Sequence, residues 1–280
     1  YERLQFGDQS LGWDIAGKKD IINSITRQNF VDYMNSLYSA DNMTVVVAGK
    51  VNEEKINSEI DKLFSPMLKF ETIKHANVVE SQEKAEVLIK HKKSEQAHFA
   101  VGVRTSGLTD EADRYPLSIL SSILGGGMSS RLFYEVRERR GLAYYVRCYS
   151  EKYADVGYLA SFAGVDPKRV DDAIKTVVEE YQKIQKAGEL TQDEVTKAKE
   201  FVKGHFILEL EDTKSIATHY SSEELLETEI KNPDEIMKKL DEVTLEDVHS
   251  VAVKYLAKQP LNLAIIGDFE DKSRFEKLIS

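Results

Sequence analysis

The stretch Thr26–Val51 returns as Thr244–Phe269 at a constant offset of 218 with no gap. Thr26 pairs with Thr244, Gly49 with Gly267, and Met43, Val45 and Val47 with Leu261, Leu263 and Ile265. Both copies read as a capped amphipathic helix running into an apolar strand that ends at glycine. Self-similarity on this scale constrains the fold more than any local propensity, because it requires two structurally equivalent units. The chain is then expected to open on the tail of one unit and continue into a complete second one. The head of the first unit, and any chemistry it carries, is expected to lie upstream of Tyr1.

Local patterns fill in the plan. Phe30, Met34 and Leu37 fall at helical spacing behind Ser24-Ile25-Thr26, Met43 to Ala48 reads as a buried strand, and Asn52 to Leu63 as an amphipathic helix. Residues 85–89 and 97–104 read as strands around a charged turn. Leu117, Leu120, Ile123 and Leu124 mark a helix that stops at Gly125-Gly126-Gly127. A second helix is expected from Ser129 to Arg140, closed by Gly141. Tyr144–Ser150 and Gly157–Ala163 read as a strand pair. Asp166-Pro167 begins a helix, and Thr191 to Glu194 has the capping-box form with Leu190 and Val195 placed as its staple. The fold class expected is α+β: a mainly antiparallel sheet with helices on one face, in a duplicated unit whose first copy is truncated and whose second is complete. Residues 1–65 would be the remnant of the first domain, 66–84 a linker, and 85–280 the second domain.

A net charge of −10 argues against nucleic acid as a partner, since phosphate binding leaves a basic footprint. No apolar run approaches the ~20 residues of a membrane span. Cys148 stands alone, so no intrachain disulfide and no cysteine-based metal site are expected. A buried thiol is the plain reading, and the lack of disulfides leans towards the cytoplasm.

Residues Leu124 to Tyr145 read LGGGMSSRLFYEVRERRGLAYY. This string resembles the C-terminal half of the insulinase/pitrilysin-like zinc peptidases, near the branch of mitochondrial processing peptidase and its bacterial relatives. Leu11-Gly12-Trp13-Asp14-Ile15-Ala16-Gly17 is similar to the family's LG-x-x-I-x-G stretch. The resemblance implies two similar α+β domains and a zinc site of the form H-x-x-E-H with a further Glu downstream. It also implies paired halves that enclose an unfolded or extended peptide. The histidines here, His75, His91, His98, His205, His219 and His249, do not form that motif. Zinc is therefore expected for a longer enzyme, with its ligands upstream, and none is expected to be bound by this chain.

In the family an Arg and a Tyr seven residues apart reach the substrate carbonyl, and Arg137 and Tyr144 match that spacing and context. Guanidinium and phenol are both good donors to a carbonyl oxygen. On ordinary chemistry Arg137 is a cation favoured at a helix C-terminus, and Tyr144 a half-buried strand residue. Gly125, Gly126 and Gly127 read as a flexible loop near the peptide. A phosphate cradle would need a strand before the glycines and a helix after them. His98 reads as a hydrogen-bonded structural residue, and the acidic series Glu209, Glu211, Asp212, Glu223, Glu224, Glu227 and Glu229 as a solvated helix face. The strand beginning at Val156 is a candidate edge for backbone pairing with peptide. The function expected is the C-terminal part of a zinc metalloendopeptidase, inactive alone, working as a homodimer or with a sister subunit. The alternatives are a non-catalytic subunit of such a peptidase and a structural scaffold.

Overall fold

Most of the longer helices start where a side chain accepts from a first-turn backbone amide, as at Thr26, Asn52, Asp110 and Asn232. The computed structural model describes residues 1–72, 74–226 and 229–280. In chain order it contains α1 (Glu2–Phe6), α2 (Lys19–Ser24), α3 (Arg27–Leu37) and α4 (Glu53–Phe64). Strands β1 (Glu86–His91) and β2 (Ala97–Ser106) follow, then α5 (Glu111–Gly125), a π-helical stretch Phe133–Arg139, β3 (Ala143–Lys152) and β4 (Val156–Val165). The chain closes with α6 (Val170–Ile184), α7 (Gln192–Glu209), α8 (Thr213–Leu226), α9 (Pro233–Glu242), α10 (Leu245–Val251), β5 (Asn262–Gly267) and α11 (Lys272–Ile279). Thr26 and Thr244 both head capping boxes, with Asn29 and Asp247 as the reciprocal partners.

The chain divides into two compact units. Unit 1 gathers Tyr1–Gly12, Val78–Phe206 and Lys231–Ser280; unit 2 gathers Trp13–Asn77 and Ile207–Ile230. This division sets residues 1–12 and 78–84 with unit 1, whereas the boundaries read from the sequence fall at 65 and 85.

Unit 1 is built on a five-stranded sheet of order β1-β5-β2-β4-β3. Only β1 and β5 run parallel; the other neighbours are antiparallel. One face carries Phe99, Val101 and Val103 of β2, Leu159 and Ala163 of β4, and Leu263 and Ile265 of β5, all in one core with α5, α6, α10 and α11. Within it the Tyr181 hydroxyl donates to the Val101 carbonyl (3.1 Å) and accepts from Ser161 (2.6 Å), so a buried phenol carries no unsatisfied atom. Cys148 is buried in the same core, and burial pushes its thiol up to about 12. The other face holds Tyr158 and Ala160, on which Phe6 of α1 packs together with Tyr1, Leu11 and Phe162.

β4 lies between β2 and β3 and is no edge. The expectation of a peptide-pairing edge at Val156 is therefore corrected: both sides of β4 are already paired along its length. The outermost strands are β1 and β3.

In unit 2, α3 and α4 stand where the periodicity places them, the latter capped by the Asn52 side chain accepting from the Lys55 amide at 2.9 Å. Met43 to Ala48 is the exception. Its backbone starts extended, with Met43 at φ −131° and ψ 136°, yet it joins no ladder among the described residues. β structure is a pairing property, and an apolar run without a neighbouring strand stays a lone extended segment. The acidic series also differs from expectation at Glu223, which is buried rather than solvated; Glu227 lies outside the described residues.

Candidate functional site

The glycine-rich string folds as helix, tight turn, helix and strand, and each part has a local cause. α5 ends at Gly125, and Gly126 donates its amide to the Ser122 carbonyl at 2.9 Å. Gly125 is required by close approach. A Cβ there would stand 2.7 Å from the Cys148 Cβ and 2.8 Å from the Arg147 carbonyl carbon, so only glycine lets α5 lie on β3. Gly127 faces the ring of Phe201 on α7. Ser130 closes the turn, its hydroxyl donating to the Gly127 carbonyl at 2.6 Å.

The helix expected over 129–140 starts at Arg131 and winds as a π-helix from Phe133 to Arg139. Such segments carry one residue more per turn and recur at functional sites. Gly141, at φ 56°, then turns the chain into β3. The β3–β4 register steps from Ala143↔Val165 to Tyr145↔Gly164, which leaves Tyr144 as the extra residue of a β-bulge. A bulge re-aims the side chain it carries. Tyr144 is 58% exposed, and its hydroxyl has no partner among the described residues. Tyr145, the next residue, lies across Gly164, and its hydroxyl is 3.2 Å from Nδ1 of His98. His98 thus has the hydrogen-bonded setting expected of it.

Three arginines crowd the end of the π-helical stretch, and their surroundings separate them. Arg139 pairs with Glu135 at 3.1 Å, and Arg140 with Glu135 at 3.6 Å and Glu179 at 3.8 Å. Arg137 has no carboxylate partner among the described residues. Its guanidinium sits over the Phe133 ring, 5.0 Å from the centroid, and the residue is exposed. Stacking on a ring fixes the plane of a guanidinium while leaving its N–H donors at the rim. Arg137 and Tyr144 are thus two exposed donor groups flanking one glycine turn.

Sequence reasoning passed over Arg131 and the second role of Glu194. Arg131 donates to the Glu194 carboxylate through Nε (2.6 Å) and Nη2 (3.0 Å), and to the Glu189 carbonyl at 2.6 Å. Glu194 also accepts from the Thr191 amide (3.0 Å) and hydroxyl (2.9 Å) as the reciprocal half of the cap. The Thr-x-x-Glu signature revealed the cap; nothing in it told that the same carboxylate binds an arginine sixty-three residues earlier. Burial alone would raise the Glu194 pKa, but the hydrogen bonds from Arg131 and Thr191 outweigh it and hold the group below its ordinary 4.5. A carboxylate lowered in the folded state adds stability above its unfolded pKa and loses it as pH falls through the folded value. Glu194→Gln is therefore expected to flatten the acid limb of the stability profile below pH 4.5, as read from urea midpoints across pH.

A cavity of about 100 Å³ opens beside the turn, lined by Ser122, Gly127, Ser130, Glu194, Lys197 and Phe201 among others. A wider one, about 720 Å³, lies in unit 2 among Asp41, Phe70, Glu71, Lys74 and His75 and contains none of the motif's residues. Among the described residues no three His, Cys, Asp or Glu side chains come together to hold a metal ion. No described helix is long and apolar enough to cross a membrane.

Comparison with known proteins bears on this arrangement. The model of the Peptidase M16 inactive domain matches residues 24–202. An uncharacterized zinc protease of Bacillus subtilis is 34% identical over 226 residues, covering 80% of this chain and 54% of its own. One of Streptomyces coelicolor is 32% identical over 239 residues, covering 80% and 50%. The chain thus spans about half the length of these relatives. Among solved structures, a peptidase M16 inactive domain from Pseudomonas fluorescens superposes with a TM-score of 0.84 at 20% identity, over 97% of this chain and 64% of its own. A Helicobacter pylori protease superposes at 0.82 and 23% identity, over 91% and 62%. These two likenesses concern the fold.

Proposed function

The chain belongs to the M16 peptidase family, and from that premise we propose that it is the peptide-holding portion of a zinc-dependent endopeptidase whose metal site lies in other sequence. The observation that carries this reading is the contrast among the arginines: Arg139 and Arg140 are bound to carboxylates, while Arg137 stands on Phe133 with its donors open. Arg137 and Tyr144 would donate to the carbonyl oxygen of an extended peptide and hold it as negative charge develops there. Donors placed before the reaction stabilise that charge without reorganising. In the complete enzyme zinc would supply the activated water. The outer edge of β3, beside Tyr144, offers the unpaired backbone along which a peptide could lie.

The domain plan of 1–65, 66–84 and 85–280, descended from a duplication, belongs to this proposal, as do pairing with a second or sister subunit and a cytoplasmic setting. The test is fluorescence anisotropy of a labelled, permanently unfolded polypeptide titrated with the chain. Saturable binding by the chain, without hydrolysis, is the expected result. A chain that leaves the anisotropy unchanged at high concentration overturns the reading. Hydrolysis that appears only on mixing with a zinc-bearing partner would identify the chain as the non-catalytic subunit.

A further inference from the structure

The five residues Gly126–Ser130 join two helices with two glycines, a methionine and two serines, and Met128 is 80% exposed. Side chains within the turn anchor it only weakly: among the described residues, the bond they make there is the Ser130 hydroxyl to the Gly127 carbonyl. What fixes the turn comes from its flank. Arg131, 13% exposed at its side chain, makes three hydrogen bonds across to α7 and the turn before it, two to the Glu194 carboxylate and one to the Glu189 carbonyl. Glu194, Ala198 and Phe201 follow at helical spacing on α7 and line the cavity against which Gly127 and Ser130 sit. Arg131 also opens the helix whose π-helical continuation carries Arg137 and, one turn of chain later, Tyr144.

The geometry points to Arg131 as a positioning residue that seats the glycine turn and the π-helical stretch on α7, so that Arg137 and Tyr144 present their donors at a fixed place. The assignment rests on the peptide-holding reading of those two residues. It explains why an arginine rather than a lysine stands here. Two parallel N–H bonds to one carboxylate define an orientation, whereas an ammonium defines only a distance. It also explains the double duty of Glu194, whose capping bonds from Thr191 lock the carboxylate before Arg131 meets it.

The experiment uses the full chain with Arg131→Lys, Arg131→Ala and the exchanged pair Arg131→Glu with Glu194→Arg. Three quantities are read: affinity for the labelled unfolded polypeptide, hydrogen exchange of the 126–137 amides, and the urea midpoint. Arg131→Ala is expected to weaken peptide binding about tenfold, as displacement of positioned groups does, and to speed exchange across 126–137 in particular. Arg131→Lys should restore the midpoint more fully than the affinity, and the exchanged pair should recover part of both. If Arg131→Ala prevents folding, Glu194→Gln, which keeps the cap's acceptor oxygen, takes its place. A variant that binds peptide as tightly as the parent, with unchanged exchange, overturns the assignment. A parent chain that binds no peptide overturns the proposed function instead; unchanged exchange in Arg131→Ala would then also refute the seating of the turn.

Discussion

Arg137→Ala, in a peptidase assembled with this chain, is expected to lower kcat by about 10²–10³-fold, the loss seen when one donor to a developing oxyanion is removed. KM should rise as well, by about tenfold, because the same donor holds the ground-state carbonyl before it acts on the transition state. The urea midpoint should stay where it is. The side chain is exposed and contributes a stack on Phe133, worth about 0.5–1 kcal/mol at most in such a setting. Arg139→Ala is the internal control. Its guanidinium is engaged by Glu135, and its loss should leave kcat within about twofold, as for exposed ion pairs whose removal costs little. Steady-state kinetics on the two variants side by side decides the matter. Turnover by Arg137→Ala near that of the parent would remove the role assigned to it.

The second large effect concerns stability. Gly125→Ala is expected to cost about 2–3 kcal/mol, near the upper range for overpacking a filled core. The added methyl would meet the backbone and Cβ of Cys148 and the carbonyl carbon of Arg147, and a paired strand has no slack to yield. Against this stands the gain of about 0.5–1 kcal/mol that alanine brings to a helix. Gly204→Ala isolates that gain. It lies inside α7, with nothing within 4 Å of its added Cβ, and should therefore stabilise. Chemical denaturation of both variants should show opposite shifts. A Gly125→Ala chain as stable as the parent would mean that α5 and β3 can part without loss.

How much of this was legible depended on the range of the interaction. Helix starts were legible at Thr26, Asn52, Asp166, Thr191 and Thr244, because a cap is settled within three residues of itself. The string from Gly125 to Tyr144 also displayed its turn, its helix end and its strand start. The bulge that turns Tyr144 outward was hidden, since a bulge exists only relative to the neighbouring strand. Strand order was hidden for the same reason: nothing in Val156–Val165 distinguishes an edge from an interior strand. Met43–Ala48 shows the converse, a strand-like sequence that joins no ladder among the described residues. The carboxylate that meets Arg131 was visible only as a cap, because the other half of its bonding comes from another part of the chain.

β5 comes after β1, β2, β3 and β4 in the chain, yet it is inserted between β1 and β2. During synthesis those two early strands must therefore wait, unable to pair with each other, with a slot between them reserved for residues 262–267. Until that slot fills, two bare strand borders and the apolar side of β2 stand open to solvent and to neighbouring nascent chains. Late closure of this kind slows folding and exposes the intermediate to aggregation. Residues 262–267 thus act as the keystone of unit 1, and a chain cut short before them should release a collapsed, sticky species rather than a smaller native one.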